Sequence, residues 1–203
     1  MCNRILGAMA LCGVLACATE KQAWSEALPV QVEVLLEVLP PEAAVILDGA
    51  VVGAGTTTLK LGAAPATVQV TADGFEALQV TLDPKLHAGA RVGMVLRPSG
   101  YGEGRPLAID DANGLAAASG WLLRAGRVAD ATAYAERAVQ ASPAAPAPRR
   151  ALGLALAKQG KRGRAAQELS QYLQLAPGAA DRAEIEAAVE RFRGDISIPP
   201  RGY

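Results

Sequence analysis

Cysteine is missing from almost the whole chain: the three present are Cys2, Cys12 and Cys17, and none follows. A disulfide framework for the folded part is thereby excluded, as is a thiolate-ligated metal. Histidine is nearly absent too, with His87 alone, so no histidine pair can bind a metal and any Ser-His-Asp arrangement would rest on that one ring. Aromatics make up only 4% of the residues, so large side chains are scarce for a core and small ones must permit close packing. Charge of one sign is not in excess either. The 20 basic and 20 acidic side chains cancel, which argues against the concentrated basic surface that nucleic acid requires. No GxSxG elbow and no Gly-Lys-Ser/Thr loop occurs. What remains, in 203 residues, is room for one ordinary domain or two small ones.

The N-terminus is the first positive signal. MCNR carries one positive charge and precedes ILGAMALCGVLA, an uncharged apolar run of 12 residues. That length suits the hydrophobic region of a signal peptide and is too short for a permanent membrane span. The run closes on Val14-Leu15-Ala16-Cys17, which resembles the lipobox of bacterial lipoproteins, with Leu15 a less usual residue at its position. The resemblance implies cleavage before Cys17 and a lipid on that thiol. Ala18 after it resembles the sorting signal for the outer membrane. Ordinary cleavage that discards Cys17 or leaves it free is the alternative.

From Pro29 onward the texture changes. Val30, Val32, Val34, Leu36 and Val38 recur at period two with Gln31, Glu33 and Glu37 between them, the pattern of a half-buried strand. In PPEAAVILDGAVVGAG, residues 40–55, two apolar triplets flank Asp48-Gly49, which predicts a tight hairpin rather than a phosphate-binding loop. Further strands are expected at 56–61, 66–71, 75–82 and 90–96, a rhythm that suits a small antiparallel sandwich. These residues resemble the PEGA domain, a module of bacterial envelope proteins without established catalysis. Pro41-Glu42-Ala43-Ala44 stands at its signature, followed by Asp48-Gly49, Gly53 and the corner Asp73-Gly74-Phe75. Ala43 replaces the motif glycine, and Thr57 stands where the family often has Pro.

PSGYGEGRP, residues 98–106, reads as a flexible linker, and Ala, Leu, Arg and Glu dominate after it. A repeat then emerges. Leu122 and Leu156, Gly126 and Gly160, Ala131 and Ala165, and Pro143 and Pro177 are each 34 residues apart. Each unit, 112–143 and 146–177, reads as two helices around a Gly turn. The pair resembles the tetratricopeptide repeat, on Leu115, Leu122, Gly126, Ala131, Ala138 and Pro143, then Leu152-Gly153, Gly160, Ala165, Tyr172 and Pro177. Asp181 and Glu184 are placed as a capping box for a last helix whose stripe is Ile185, Ala188, Val189 and Phe192.

The expected organisation is α+β: a lipoprotein signal peptide over 1–16, a lipidated tether over 17–28, a PEGA-like antiparallel β-sandwich over 29–98 and a linker over 99–109. A tetratricopeptide solenoid of two repeats and a capping helix follows over 110–193, then a tail over 194–203. Asp110-Asp111 reads as a helix cap, and Arg193-Gly194-Asp195 as a helix end. With no catalytic constellation, metal set or cofactor motif, the chain is expected not to be an enzyme and to need no cofactor. The repeat resemblance implies a concave groove along the first helix of each pair, at Asn113, Leu123 and Arg124 and at Arg150, Leu154 and Lys158. Cations beside leucines suit an acidic or C-terminal peptide segment. The expected function is a lipid-anchored scaffold of the bacterial outer membrane, facing the periplasm, that holds a partner protein. Binding of cell-wall glycan through the β module is the alternative.

Overall fold

A computed structural model of the chain describes residues 31–102 and 107–197. The signal peptide, Cys17 and the tether therefore lie outside the described residues, as do positions 103–106 and 198–203. An antiparallel-rich β region comes first and a helical region follows, an α+β arrangement.

Among the described residues seven strands form two sheets: β1 (Val32–Leu39), β2 (Ala44–Leu47), β3 (Ala50–Ala54), β4 (Thr57–Leu61), β5 (Ala66–Thr71), β6 (Leu78–Leu82) and β7 (Arg91–Val95). The first sheet has the order β4-β1-β7 and the second β3-β2-β5-β6. Val34, Leu36 and Val38 of β1 point into the core, as their alternation requires. The expected antiparallel pairing holds for most strands and needs one correction: β1 and β7 run parallel, Leu36 beside Val92 and Val38 beside Met94. Apolar alternation sets which face of a strand is buried and carries no information about direction. Direction is set here by the return through a short helix, α1 (Pro84–His87), where the sequence suggests only a turn. Asp83 starts that helix by accepting from the Lys85 N–H, and Pro84 occupies its first turn.

The β2–β3 hairpin forms at the expected pair, with Asp48 and Gly49 both at positive φ, 47° and 86°. Asp48 also ties the turn to β5 by accepting from the Thr67 N–H at 3.1 Å. Gly55, also at positive φ, is required for a second reason: a Cβ there would sit 2.3 Å from the Pro41 carbonyl oxygen. The strand expected over 75–82 begins only at Leu78, because Phe75 turns aside to bridge Pro98.

Five helices follow among the described residues: α2 (Ala112–Arg124), α3 (Val128–Ala141), α4 (Pro146–Lys158), α5 (Arg162–Leu175) and α6 (Arg182–Ser197). None is long and apolar enough to cross a membrane. Asp111 caps α2 through the Gly114 N–H at 3.0 Å. The 34-residue offset reappears in the turns. Gly126 and Gly160 sit at φ 78° and 77°, and the following N–H of Arg127 and Lys161 returns to Leu122 and Leu156, 2.9 Å in both cases. Small residues line the helix contacts, with Ala118, Ala131, Ala135 and Ala138 fully buried. Gly153 lets α5 come closest: a Cβ on it would lie 2.6 Å from Leu169 Cγ.

The helices lean on the sheets. One apolar cluster runs without a break from Val34, Leu36 and Leu59 through Leu96 to Leu115, Leu122 and Tyr134. Tyr134 of α3 is the largest fully buried side chain. Its ring stacks on Phe75 at 6.1 Å, and its hydroxyl donates to the carbonyls of Leu96 and Leu39 at the ends of two strands. A smaller cluster, Ala166, Leu169, Tyr172, Ile185 and Val189, holds α6 to α5.

Candidate functional site

The surface built by α2 and α4 carries the residues proposed from the repeat pattern, and the structure sorts them into three kinds. Arg124 and Lys158 end their helices at equivalent positions, and both are exposed. Among the described residues, no carboxylate forms an ion pair with either. Leu123 and Leu154 are half-buried, the first against the main core and the second against the α5–α6 cluster. They supply apolar edge rather than free apolar surface. Asn113 is exposed in the first turn of α2, roughly 16 Å along the axis from Arg124 at 1.5 Å per residue.

Arg150 behaves differently. Its Nε donates to Asp181 Oδ2 at 2.5 Å, so its charge is met from within. The same carboxylate accepts from the Tyr172 hydroxyl at 2.6 Å. The sequence places Asp181 as half of a capping box; its side chain instead gathers an arginine from α4 and a tyrosine from α5. The hydrogen bond from Tyr172 is the main reason that its carboxyl titrates below the usual range, with Arg150 adding to it. Tyr172 is pushed up in turn, by burial first and then by the hydrogen bond it donates to Asp181. No spacing rule links residues 150, 172 and 181, so this cluster is invisible until the helices are packed.

Two further residues complete the surface. Trp121, one turn before Arg124, meets Tyr101 from the connector with ring centroids 6.4 Å apart and planes at 73°. Both rings are partly buried against the core. Tyr101 lies in a segment that reads as linker, so only the scarcity of aromatics could have drawn attention to it.

Elsewhere the chemistry is committed to structure. His87 holds the Asp83 carbonyl at 2.8 Å through Nδ1, closing α1. Among the described residues no group of three His, Cys, Asp or Glu is placed to hold a metal. A cleft of about 230 Å³ opens where α3 meets β1, but Arg137 there is already bonded to the Ile109 carbonyl at 3.0 Å and paired with Glu37. In comparisons with known proteins, no family model matches this chain and no curated protein matches it.

Proposed function

We propose that the protein is a membrane-anchored adaptor of the bacterial cell envelope. In this reading a lipid on Cys17 holds it to the membrane. A PEGA-like β-sandwich follows, and two tetratricopeptide-type repeats with a closing helix bind a partner protein or peptide along the α2–α4 surface. The single observation that carries it is the pair Arg124 and Lys158, two exposed cations at matching ends of adjacent first helices that no described carboxylate pairs. Unpaired cations beside half-buried leucines suit an acidic extended segment, whose carboxylates complete the charges. Two or three acyl chains, each worth ~0.8 kcal/mol per buried CH₂, would retain the protein where one short chain would not. Outer-membrane residence and a periplasm-facing body belong to the same proposal. No catalytic step is assigned.

Against the glycan alternative stands the character of the β module's exposed side chains. Phe75 is buried, and the large exposed ones are Val51, Val52 and Leu86, which offer no ring to stack on a sugar.

The test is site-specific photocrosslinking in intact cells, with the crosslinker at Ala147 on α4 or at Gln167 on the exposed side of α5. A discrete adduct from Ala147 alone, abolished by R124E/K158E, is the expected result. An adduct that survives the charge reversal refutes the surface.

A further inference from the structure

The described part of the chain has few aromatics, and three of them, Phe75, Tyr134 and Tyr172, are buried. Tyr101 and Trp121 are not. They meet edge to face at the end of α2, where the connector passes across it. Gly100, at φ 76°, brings the backbone so close that a Cβ there would touch the indole at 3.7 Å. Neither polar tip, the Tyr101 hydroxyl or the Trp121 Nε1–H, has a hydrogen-bond partner among the described residues, and neither is shut off from water. Arg124 follows Trp121 by three residues, which places both on one side of the helix. Its guanidinium runs back along Gly120. Burial, and then the Asp111 carboxylate, raise the Tyr101 hydroxyl above its ordinary value, and the Arg124 charge opposes that shift.

A half-open indole, a half-open phenol and an unpaired guanidinium side by side match the composition of energetic centres in protein interfaces, where Trp, Tyr and Arg dominate. We propose that Tyr101, Trp121 and Arg124 form the anchor of the partner surface and take an aromatic side chain next to a carboxylate, within an acidic segment of a partner protein. The inference rests on the peptide-binding reading above and makes it specific. The two rings receive the aromatic, Arg124 pairs the adjacent carboxylate, and Lys158 meets a second carboxylate further along. Complementary charge decides for an acidic segment: a basic one would face two uncompensated cations.

The experiment uses the full chain carrying W24F, which leaves Trp121 as the sole tryptophan. The probes are the peptides SEEFEES, SEEAEES and SKKFKKS, with chitotetraose as a glycan control, and the readout is Trp121 emission. The expected result is a saturable shift with SEEFEES alone, weakened about tenfold by Y101A and by R124A, each a loss of order 1.4 kcal/mol. R124A alters an exposed side chain, so it remains informative should Y101A disturb the connector. If SEEFEES binds equally to Y101A, R124A and the parent while K158E abolishes binding, the groove stands and the anchor is overturned. A shift with chitotetraose in place of the peptides overturns the anchor in favour of a sugar site. No response to either acidic peptide overturns both the anchor and the peptide-binding reading.

Discussion

The Arg127 guanidinium lies 4.4 Å from the centroid of the Phe75 ring, and this contact joins the start of α3 to the corner between β5 and β6. The same group donates to Asp130 at 2.6 Å, to Glu42 at 3.4 Å and to the Asp73 carbonyl. Phe75 in turn stacks on Tyr134. One cation thus sits at the joint between the sheets and the helices, and it satisfies groups from both. Arg127→Ala would leave the nearly buried Asp130 unpaired, with an expected loss of about 1–3 kcal/mol. Urea unfolding in the W24F background, followed separately by far-UV dichroism and by Trp121 emission, checks this. Coincident transitions are expected, because the core crosses the joint.

Tyr134→Phe keeps the ring and deletes the hydroxyl, which leaves the Leu96 carbonyl without that donor. The expected cost is about 1–2 kcal/mol, read as a lower urea midpoint at unchanged slope. A change in slope instead would mean that the joint had opened in the native state.

The joint should also respond to pH. Burial, and then the hydrogen bond it shares with Asp130, raise the Glu42 carboxyl above its ordinary value. A group raised in the folded state contributes stability that is fully present below its unfolded pKa and is lost as pH rises through its folded pKa. Glu42→Gln removes that titration. The variant should match the parent at acid pH and exceed it in melting temperature near neutrality. A constant difference at every pH would show that Glu42 does not titrate into the joint.

Asp181 has the opposite sign. Tyr172 and Arg150 hold its pKa low, so its contribution is present above the unfolded value near 4 and is lost as pH falls through the folded one. Asp181→Asn should flatten the acid limb of the stability profile. A double-mutant cycle with Tyr172→Phe is expected to show coupling of roughly 0.5–3 kcal/mol. Additive losses would mean that the 2.6 Å contact carries no coupling energy.

Gly153→Ala tests the close approach of α4 and α5. In an exposed helix that change gains roughly 1 kcal/mol, but here the new Cβ would meet Leu169 Cγ at 2.6 Å. Overpacking is expected to win, with a net loss of about 1–3 kcal/mol in urea unfolding. A gain would mean that Leu169 moves aside freely.

Cys17→Ser tests the anchor independently of the fold. The variant is expected in the soluble envelope fraction while the parent sediments with membranes. Retention of the variant on membranes would refute a lipid on that thiol.

Local chemistry was legible in the residues. Asp48-Gly49 specified its hairpin because positive φ at two consecutive positions is available to few pairs. The 34-residue spacing of Gly126 and Gly160 predicted two like turns, and the turns have matching hydrogen bonds. The parallel pairing of β7 with β1 was not legible, since period-two burial is identical for both directions. Arg150 was expected to be available to a ligand and is held by Asp181, 31 residues away, a distance no pattern rule spans.

Sequence by itself determined the Asp48-Gly49 hairpin, the two like repeat turns, and a folded part with no thiol, a single imidazole and no excess charge, because these depend on residue identity and on neighbours within one turn or one strand. Tertiary structure alone decided which charges remained open. Whether a cation is free depends on which carboxylate a distant segment brings to it: the turn between α5 and α6 carries Asp181 to Arg150, while Arg124 and Lys158 stay exposed. The passage of the connector across α2 likewise set Tyr101 against Trp121, turning a connector residue into part of a surface.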